Sequence, residues 1–395
     1  AQAVLFEPAK EFAKCSGFVH MYTESASKAL TKQRKDVIMP SRGKDVMLGY
    51  ASAITGTGIT CYIALHGLCL LPCWLGILKG KKVNRSSEEG GSLTAIKALS
   101  SRSQAALLGF GPDAVAPRLM SELSLLGPGR WGSTAWTRAY LFLARVNFRV
   151  TRRSLADQMA QKSAMRFGEI AYLHARTCWL DDVATTFLRE NAGVPCNLVV
   201  LGAGFDTRCF RLSLPEQVQC FEVDARGTQM QKKLVLQKAK LDDAHVTFVE
   251  VDFAVDSWFD KLRERGYNDS LPTCFLWEGV MMYLPREVAE STFKHVARCG
   301  KGSIIAFDYL GPWSNSPEVL KLTSKFREPF QSYMKDDDDL SDLVTGAQLR
   351  LLEHLKKDEL VDRYLPTHAD GRPIGYLDDF GGFALAGCFE AMEAV

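Results

Sequence analysis

Read for its apolar and polar positions, the chain changes texture four times. Residues 1–45 are polar and basic, with short amphipathic pieces, whereas 46–78 (VMLGYASAITGTGITCYIALHGLCLLPCWLGIL) hold no Asp, Glu, Lys or Arg. KGKKVNRSSEEGG at 79–91 reads as a linker by composition. From 92 onward apolar residues recur at helical spacing through SLTAIKALSSRSQAALLGF and DAVAPRLMSELSLL. The pattern breaks at Gly-Pro-Gly 127–129 and resumes to 191, ending in FGEIAYLHARTCWLDDVATTFLREN. Then the period shortens. NLVVL (197–201) is a short continuous apolar run, as a parallel strand buried on both faces requires. VQCFEV (218–223), VTFVEV (246–251), TCFLW (273–277) and GSIIAFDYL (302–310) repeat that texture. Helical patterns at 225–240 and 286–298 lie between them. The alternation predicts an α/β, doubly wound, Rossmann-like parallel sheet with right-handed crossovers. VDRYLP (361–366) and GFALAGCFE (382–390) read as two further strands, making seven.

In such sheets a ligand binds outside the carboxyl ends of the strands, where the strand order reverses. The first strand runs directly into a glycine turn, LVVLGAGFDTRCFRL (198–212). Gly202 and Gly204, with Ala203 between them, permit positive φ and omit the Cβ that would obstruct a ligand. A dinucleotide fingerprint would place a third glycine where this chain has Thr207, so the turn suits a smaller ligand without phosphates. Acids follow at successive strand ends: Glu222 and Asp224, then Asp252, then Glu278. Singly, each reads as a solvated loop residue or a helix cap; their joint placement carries the information. A carboxylate at the second strand's end accepts from both ribose hydroxyls. Asp252 is placed to reach an adenine amino group, and Glu278 lies beside the reacting centre. So many carboxylates repel phosphate and suit a cationic cofactor with a free ribose, S-adenosyl-L-methionine.

LVVLGAGFDTRCFRL, FEVD (221–224), VDF (251–253), LWEGVMMYLP (276–285) and RTCWLDDVATTFL (176–188) together resemble the leucine carboxyl methyltransferase family. EEGGSLTAIKALSSRSQAAL (88–107) is similar, more loosely, to its opening helix. The resemblance covers about 88–310 and implies one methyltransferase domain over 92–395. That domain divides into a helical cap at 92–191, a sheet core at 196–310, and a C-terminal cap with the last strands at 311–395. It further implies that Arg176 grips the cofactor carboxylate, with Arg102 as a second cation. Gly202, Ala203 and Gly204 would line the methionine part. Asp206 would hold the loop or meet the amino group, and Asp224, with Glu222, would bind the ribose. Asp252 and Phe253 would frame the adenine, Glu278 would sit near the sulfonium, and Tyr283 is a candidate for the acceptor pocket. A carboxylate acceptor is already a nucleophile, so orientation and electrostatics suffice for transfer. No Ser-His-Asp or Cys-His set is needed, and His174, His245, His295, His354 and His368 read as structural or solvated. The acceptor itself is not legible.

Charge and composition add exclusions and one competing role. A net charge of +2 gives no electrostatic case for nucleic acid. Eleven cysteines without a CxxC pair give no zinc pattern and read as buried free thiols, and no metal site is expected. KDDDDLSDL (335–343) reads as a solvated loop. The segment 46–78 exceeds the roughly 20 residues that span a bilayer, and Gly49 and Gly56 share one helix face on which another helix could close. Both flanks are basic, so orientation stays open. The expectation is a transmembrane anchor, with a membrane and other membrane subunits as partners. The competing reading of the segment is an apolar hairpin folded onto the soluble domain. A start at Ala1 rather than Met fits removal of an organellar presequence, and equally an arbitrary starting point; otherwise the chain is expected in the cytoplasm. The first 85 residues stand outside the family pattern. They suggest the alternative of a catalytically idle structural subunit in a membrane assembly.

Overall fold

The computed structural model describes residues 92–109, 111–123, some positions between 142 and 149, 168–323, 329–368 and 370–388. The basic extension, the apolar segment 46–78 and the linker lie outside the described residues. Among the described residues no helix is long and apolar enough to cross a membrane.

Seven strands form one mixed sheet: β1 (Cys196–Leu201), β2 (Val218–Asp224), β3 (Val246–Glu250), β4 (Thr273–Trp277), β5 (Ile304–Leu310), β6 (Arg350–Leu355) and β7 (Gly381–Gly387). Their order is β3-β2-β1-β4-β5-β7-β6. The first five strands run parallel, and β7 lies antiparallel between β5 and β6. The chain moves outward from β1 through β2 to β3, then returns to β4 on the other side of β1. The switch point expected from the sequence therefore lies between β1 and β4.

Ten helices are described: α1 (Leu93–Leu108), α2 (Ala116–Glu122), α3 (Glu169–Glu190), α4 (Arg208–Arg211), α5 (Arg226–Lys238), α6 (Trp258–Glu264), α7 (Arg286–Val296), α8 (Pro317–Thr323), α9 (Asp337–Gly346) and α10 (Lys357–Tyr364). Strand side chains alternate between two cores, as the period of two demands. Leu198, Val200, Cys274 and Leu276 pack with Trp179 and Phe187 of α3 and Leu360 of α10. Val199, Leu201, Phe275 and Trp277 pack with Trp258 of α6, Phe293 of α7 and Leu340 of α9. A third cluster joins Leu99 of α1 and Leu119 of α2 to Leu236 of α5 and Phe205 of the glycine turn. The cap is thereby fixed on the side of the sheet where the ligand is expected. The seven described cysteines are free: Cys196, Cys209, Cys220, Cys274 and Cys299 are buried, Cys178 and Cys388 half-buried.

Two expectations are corrected. The segment 361–366 is not a strand but the end of α10 and its exit; Leu360 and Tyr364, one helical turn apart, bury the same face. The sixth strand is instead RLLEHL, whose register shifts between Leu351 and Glu353. That irregularity breaks the two-residue alternation by which strands are read. The run 335–343 is exposed at 335–338, as expected, but from 337 it is helix rather than loop. Asp336 caps α9 by accepting from the Asp339 N–H at 2.8 Å, and Asp337, Asp338 and Asp339 fill the first turn. Acids there face unpaired backbone N–H groups and the positive end of the helix dipole. Leu340, Leu343 and Val344 then bury the helix.

Phe383 of β7 is fully buried, stacked on Trp179 with ring centroids 5.3 Å apart and set edge-on to Tyr172 at 5.7 Å. Phe383→Ala should cost about 3–5 kcal/mol. In urea denaturation this should lower the midpoint without changing the slope; an unchanged midpoint would contradict the packing.

Candidate functional site

At the end of β1 the chain turns onto β2. The N–H groups of Gly202 and Ala203 donate to the Val223 carbonyl at 2.7 and 3.0 Å. The Gly204 N–H donates to Asp224 Oδ2 at 2.5 Å, and the Ala225 N–H to Asp224 Oδ1 at 2.6 Å. One carboxylate thus fixes the turn and the start of α5 together. Gly202 has φ 66°, and a Cβ there would lie 2.2 Å from Val280 Cγ2. This differs from the expectation drawn from the sequence: the space that a side chain at 202 would invade belongs to Val280. A Cβ at Gly204 would lie 3.1 Å from Ala95 Cβ, so the first turn of α1 covers the loop.

Beside this turn lies a buried cluster of arginines and carboxylates. Glu278, just past β4, accepts from Arg208 Nη1 at 2.6 Å and Arg176 Nε at 3.1 Å, with Arg102 Nη1 at 3.7 Å. Arg102 Nη2 also donates to the Phe205 carbonyl at 2.6 Å, tying α1 to the glycine turn. Arg208 pairs with Asp206 and donates through Nε to Asp181 of α3 at 2.9 Å. Arg211 grips both oxygens of Asp181 at 2.6 Å. Arg176 Nη1 donates to Asp308 Oδ2 at 2.7 Å. Arg208 is 1% exposed and Asp308 0%, so water screens little of this. Burial pushes the Glu278 carboxyl up, but Arg208, Arg176 and Arg102 together hold it well below the usual carboxylate range. Asp206 is likewise pushed up by burial and brought below its ordinary value by Arg208. Both are firmly ionised.

The candidate residues divide accordingly. Arg102, Arg176, Asp206 and Glu278 meet in one cluster, and Gly202, Ala203, Gly204 and Asp224 form the adjoining turn. Glu222 does not reach the rim. It is fully buried, 2.5 Å from Lys232 Nζ of α5, and burial pushes its carboxyl up to about 7 despite that cation. Asp252 is exposed past β3 and accepts from the Ala254 N–H at 3.0 Å; the neighbouring Phe253 packs partly against the sheet core. Tyr283 is half-buried, its ring 5.5 Å from Phe330, on the turn that follows Glu278 but outside the ion cluster.

Asp308, Arg208, Asp181 and Asp113, whose Oδ2 lies 3.3 Å from Arg102 Nε, were not singled out from the sequence. Arg208 and Asp181 stood inside the quoted motifs GAGFDTR and RTCWLDD, without a role. Asp308 had its own signal, a lone charge within the apolar run IIAFDYL.

Comparison with known proteins covers part of this site: Arg176, the glycine turn, Asp224 and Glu278 fall within the family match, whereas Arg102, Asp113 and Asp308 fall outside it. The sequence model of the family described as leucine carboxyl methyltransferase matches residues 137–297. A Bacillus subtilis protein provisionally named an S-adenosyl-L-methionine-dependent methyltransferase is 32% identical over 186 residues, 44% of this chain and 60% of its own length. A Mycolicibacterium gilvum protein with the same provisional name is 31% identical over 220 residues, 51% of this chain and 68% of its own. The chain thus spans between 60% and 68% of the length of these two relatives. A solved S-adenosylmethionine-dependent methyltransferase from Clostridium acetobutylicum aligns over 53% of this chain and 91% of its own, at 11% identity and a TM-score of 0.35.

The cluster makes a pH-dependent prediction. Glu278 is held below its unfolded value of about 4.3, so its contribution is fully present above that pH and is lost as the pH falls toward the folded value. Glu278→Gln leaves buried arginines undercompensated and should cost about 3–5 kcal/mol at pH 7. Between about pH 5 and 3 the variant's stability should fall less steeply than that of the wild type. Equal slopes in acid would show that Glu278 is not ionised by the cluster.

Proposed function

The chain belongs to the leucine carboxyl methyltransferase family of S-adenosyl-L-methionine-dependent methyltransferases, and on that premise we propose that it binds S-adenosyl-L-methionine at the 202–208 turn and methylates a carboxylate of a protein or small molecule. The observation that carries this reading is the turn pinned to Asp224 at the switch point, with Arg102 and Arg176 beside it. The residues suit the cofactor. Asp224 stands at the end of β2, where an acid accepts from ribose hydroxyls. Arg102 Nε faces Asp113 Oδ2 at 3.3 Å, whereas Arg176 Nη2 takes part in neither of that residue's bonds to Glu278 and Asp308, so its donors are available for a carboxylate.

In this reading Arg102 and Arg176 hold the cofactor carboxylate, Asp206 maintains the loop, and Asp252 and Phe253 frame the adenine. Tyr283 borders the acceptor. The bound cofactor supplies an activated methyl group on a sulfonium. Glu278, ionised and gripped by arginines, is a poor proton acceptor. Its role is electrostatic, beside the positive sulfonium, and a carboxylate acceptor arrives already ionised, so orientation does the remaining work. Residues 46–78, outside the described residues, anchor the domain in a membrane, and the chain is accordingly membrane-associated. One observation favours the second reading, an idle structural subunit of a membrane assembly: Arg102, Arg176, Arg208 and Arg211 each already face a carboxylate of the chain itself.

Titration calorimetry separates the two readings. Wild-type protein should bind S-adenosyl-L-homocysteine, and Asp224→Asn should weaken binding about 10-fold or more, the value of a charged hydrogen bond. Saturation at about 100 times the Kd should stabilise the wild type by about 2.7 kcal/mol. Absence of binding would leave the structural-subunit reading. For the anchor, the full chain should stay in the membrane pellet after alkaline carbonate extraction; release into the supernatant would remove the spanning segment from the proposal.

A further inference from the structure

Asp308 lies within β5, fully buried, among residues that are otherwise apolar. Burying an aspartate costs several kcal/mol unless donors surround it. Here three do, two from α3 and one from the loop after β4. Oδ2 accepts from the Tyr172 hydroxyl at 2.5 Å and from Arg176 Nη1 at 2.7 Å, and Oδ1 accepts from the Gly279 N–H at 2.5 Å. Tyr172 and Arg176 stand one helical turn apart on α3, and the guanidinium lies over the Tyr172 ring at 5.2 Å. Gly279 follows Glu278 directly. One carboxylate therefore fixes an arginine on the helix and the loop that presents Glu278.

The loop conformation depends on this contact. Gly279 has φ 66°, and a Cβ there would lie 2.9 Å from Arg176 Nη1 and 3.1 Å from Nη2. The guanidinium lies in the space that a side chain at 279 would fill. Its Nε is committed to Glu278 and its Nη1 to Asp308. The two Nη2 donors take part in neither bond, and the two anchored edges set where they point.

We propose that Asp308 is a positioning residue for the cofactor carboxylate: by holding Arg176 Nη1 and the Gly279 amide, it aims the remaining guanidinium edge at the ligand. This rests on the cofactor reading above. Asp308 has no exposed surface, so it acts through Arg176 and the 278–280 loop rather than by touching the ligand. Tyr172 supports it from the far side, wedged edge-on against Phe380 at 4.4 Å between ring centroids.

The test compares two probes by calorimetry on the full chain. S-adenosyl-L-homocysteine carries the amino-acid carboxylate; 5′-methylthioadenosine keeps the nucleoside and sulfur but lacks it. Asp308→Asn should weaken S-adenosyl-L-homocysteine about 10-fold or more and leave 5′-methylthioadenosine within about 2-fold. Equal losses for both ligands would mean a structural role and overturn the proposal; so would no loss for either. Failure of the wild type to bind either ligand would instead fell the cofactor reading, and this proposal with it. Should Asp308→Asn not fold, Arg176→Gln and the Arg176→Gln/Asp308→Asn pair remove the two charges together. Arg176→Gln should lose S-adenosyl-L-homocysteine selectively. Adding Asp308→Asn should then change its affinity by less than about 2-fold, because Asp308 has no arginine left to aim; a further 10-fold loss would overturn the proposal.

Discussion

Glu278 at the meeting point of three guanidinium groups is the contact on which the site end of this molecule depends. Several kcal/mol oppose each buried charge, and only mutual compensation with satisfied hydrogen bonds offsets them. Arg102 brings α1, Arg176 brings α3 and Arg208 brings the glycine turn, so three separate segments are held at the end of β4 by one side chain. Asp206, Asp181, Asp113 and Asp308 then answer the same arginines from other sides. The apolar cores fix which helices cover which face of the sheet. The ion cluster fixes how their ends meet, and a partially formed cluster would leave a buried charge unpaired.

The same constraint determines what Glu278 can do. A general base needs a pKa near the working pH. The arginines move this carboxyl the opposite way, far below that range. A side chain so held offers fixed negative charge and geometry, which suits a reaction between a cation and an anion that needs no proton moved.

β1, β4 and β5 were legible because each is buried on both faces, and a largely apolar run survives any register; β2 and β3, toward the sheet edge, are only partly buried and were legible from their β-branched and aromatic residues. β1 to β5 fall within two residues of their expected bounds. β6 was lost because it is only partly buried and irregular in register, so neither alternation nor a continuous run marks it. The aspartates at the start of α9 do face solvent, as read; what was missed is the helix, because its capping acid and acidic first turn look like a polar loop when the buried Leu340, Leu343 and Val344 are not set against them. In the site, the glycine turn and the acids at strand ends were legible because topology assigns them a place. Partners distant in sequence were not: Arg176 and Asp308 are 132 positions apart, and no local pattern connects them. Glu222 illustrates the opposite error. It shares the strand end with Asp224 by position, yet its side chain is sunk against Lys232, a residue of the following helix.

The glycines carry a related lesson about what a motif means. GAG after β1 and EG after β4 look like space cleared for a ligand. In this chain the cleared space is filled from within, by Val280 at Gly202 and by the Arg176 guanidinium at Gly279, and both glycines have positive φ. Each is therefore required before any ligand arrives, to let the two loops at the switch point interlock around the charges. A glycine pattern of this kind reports that two loops cross closely above parallel strands; it does not identify the ligand. The identity rests on the groups that the crossing presents, an acid at the end of β2 and guanidinium donors opposite it. Of these the acid is the one that suits a ribose and repels a pyrophosphate; guanidinium donors take a carboxylate or a phosphate alike.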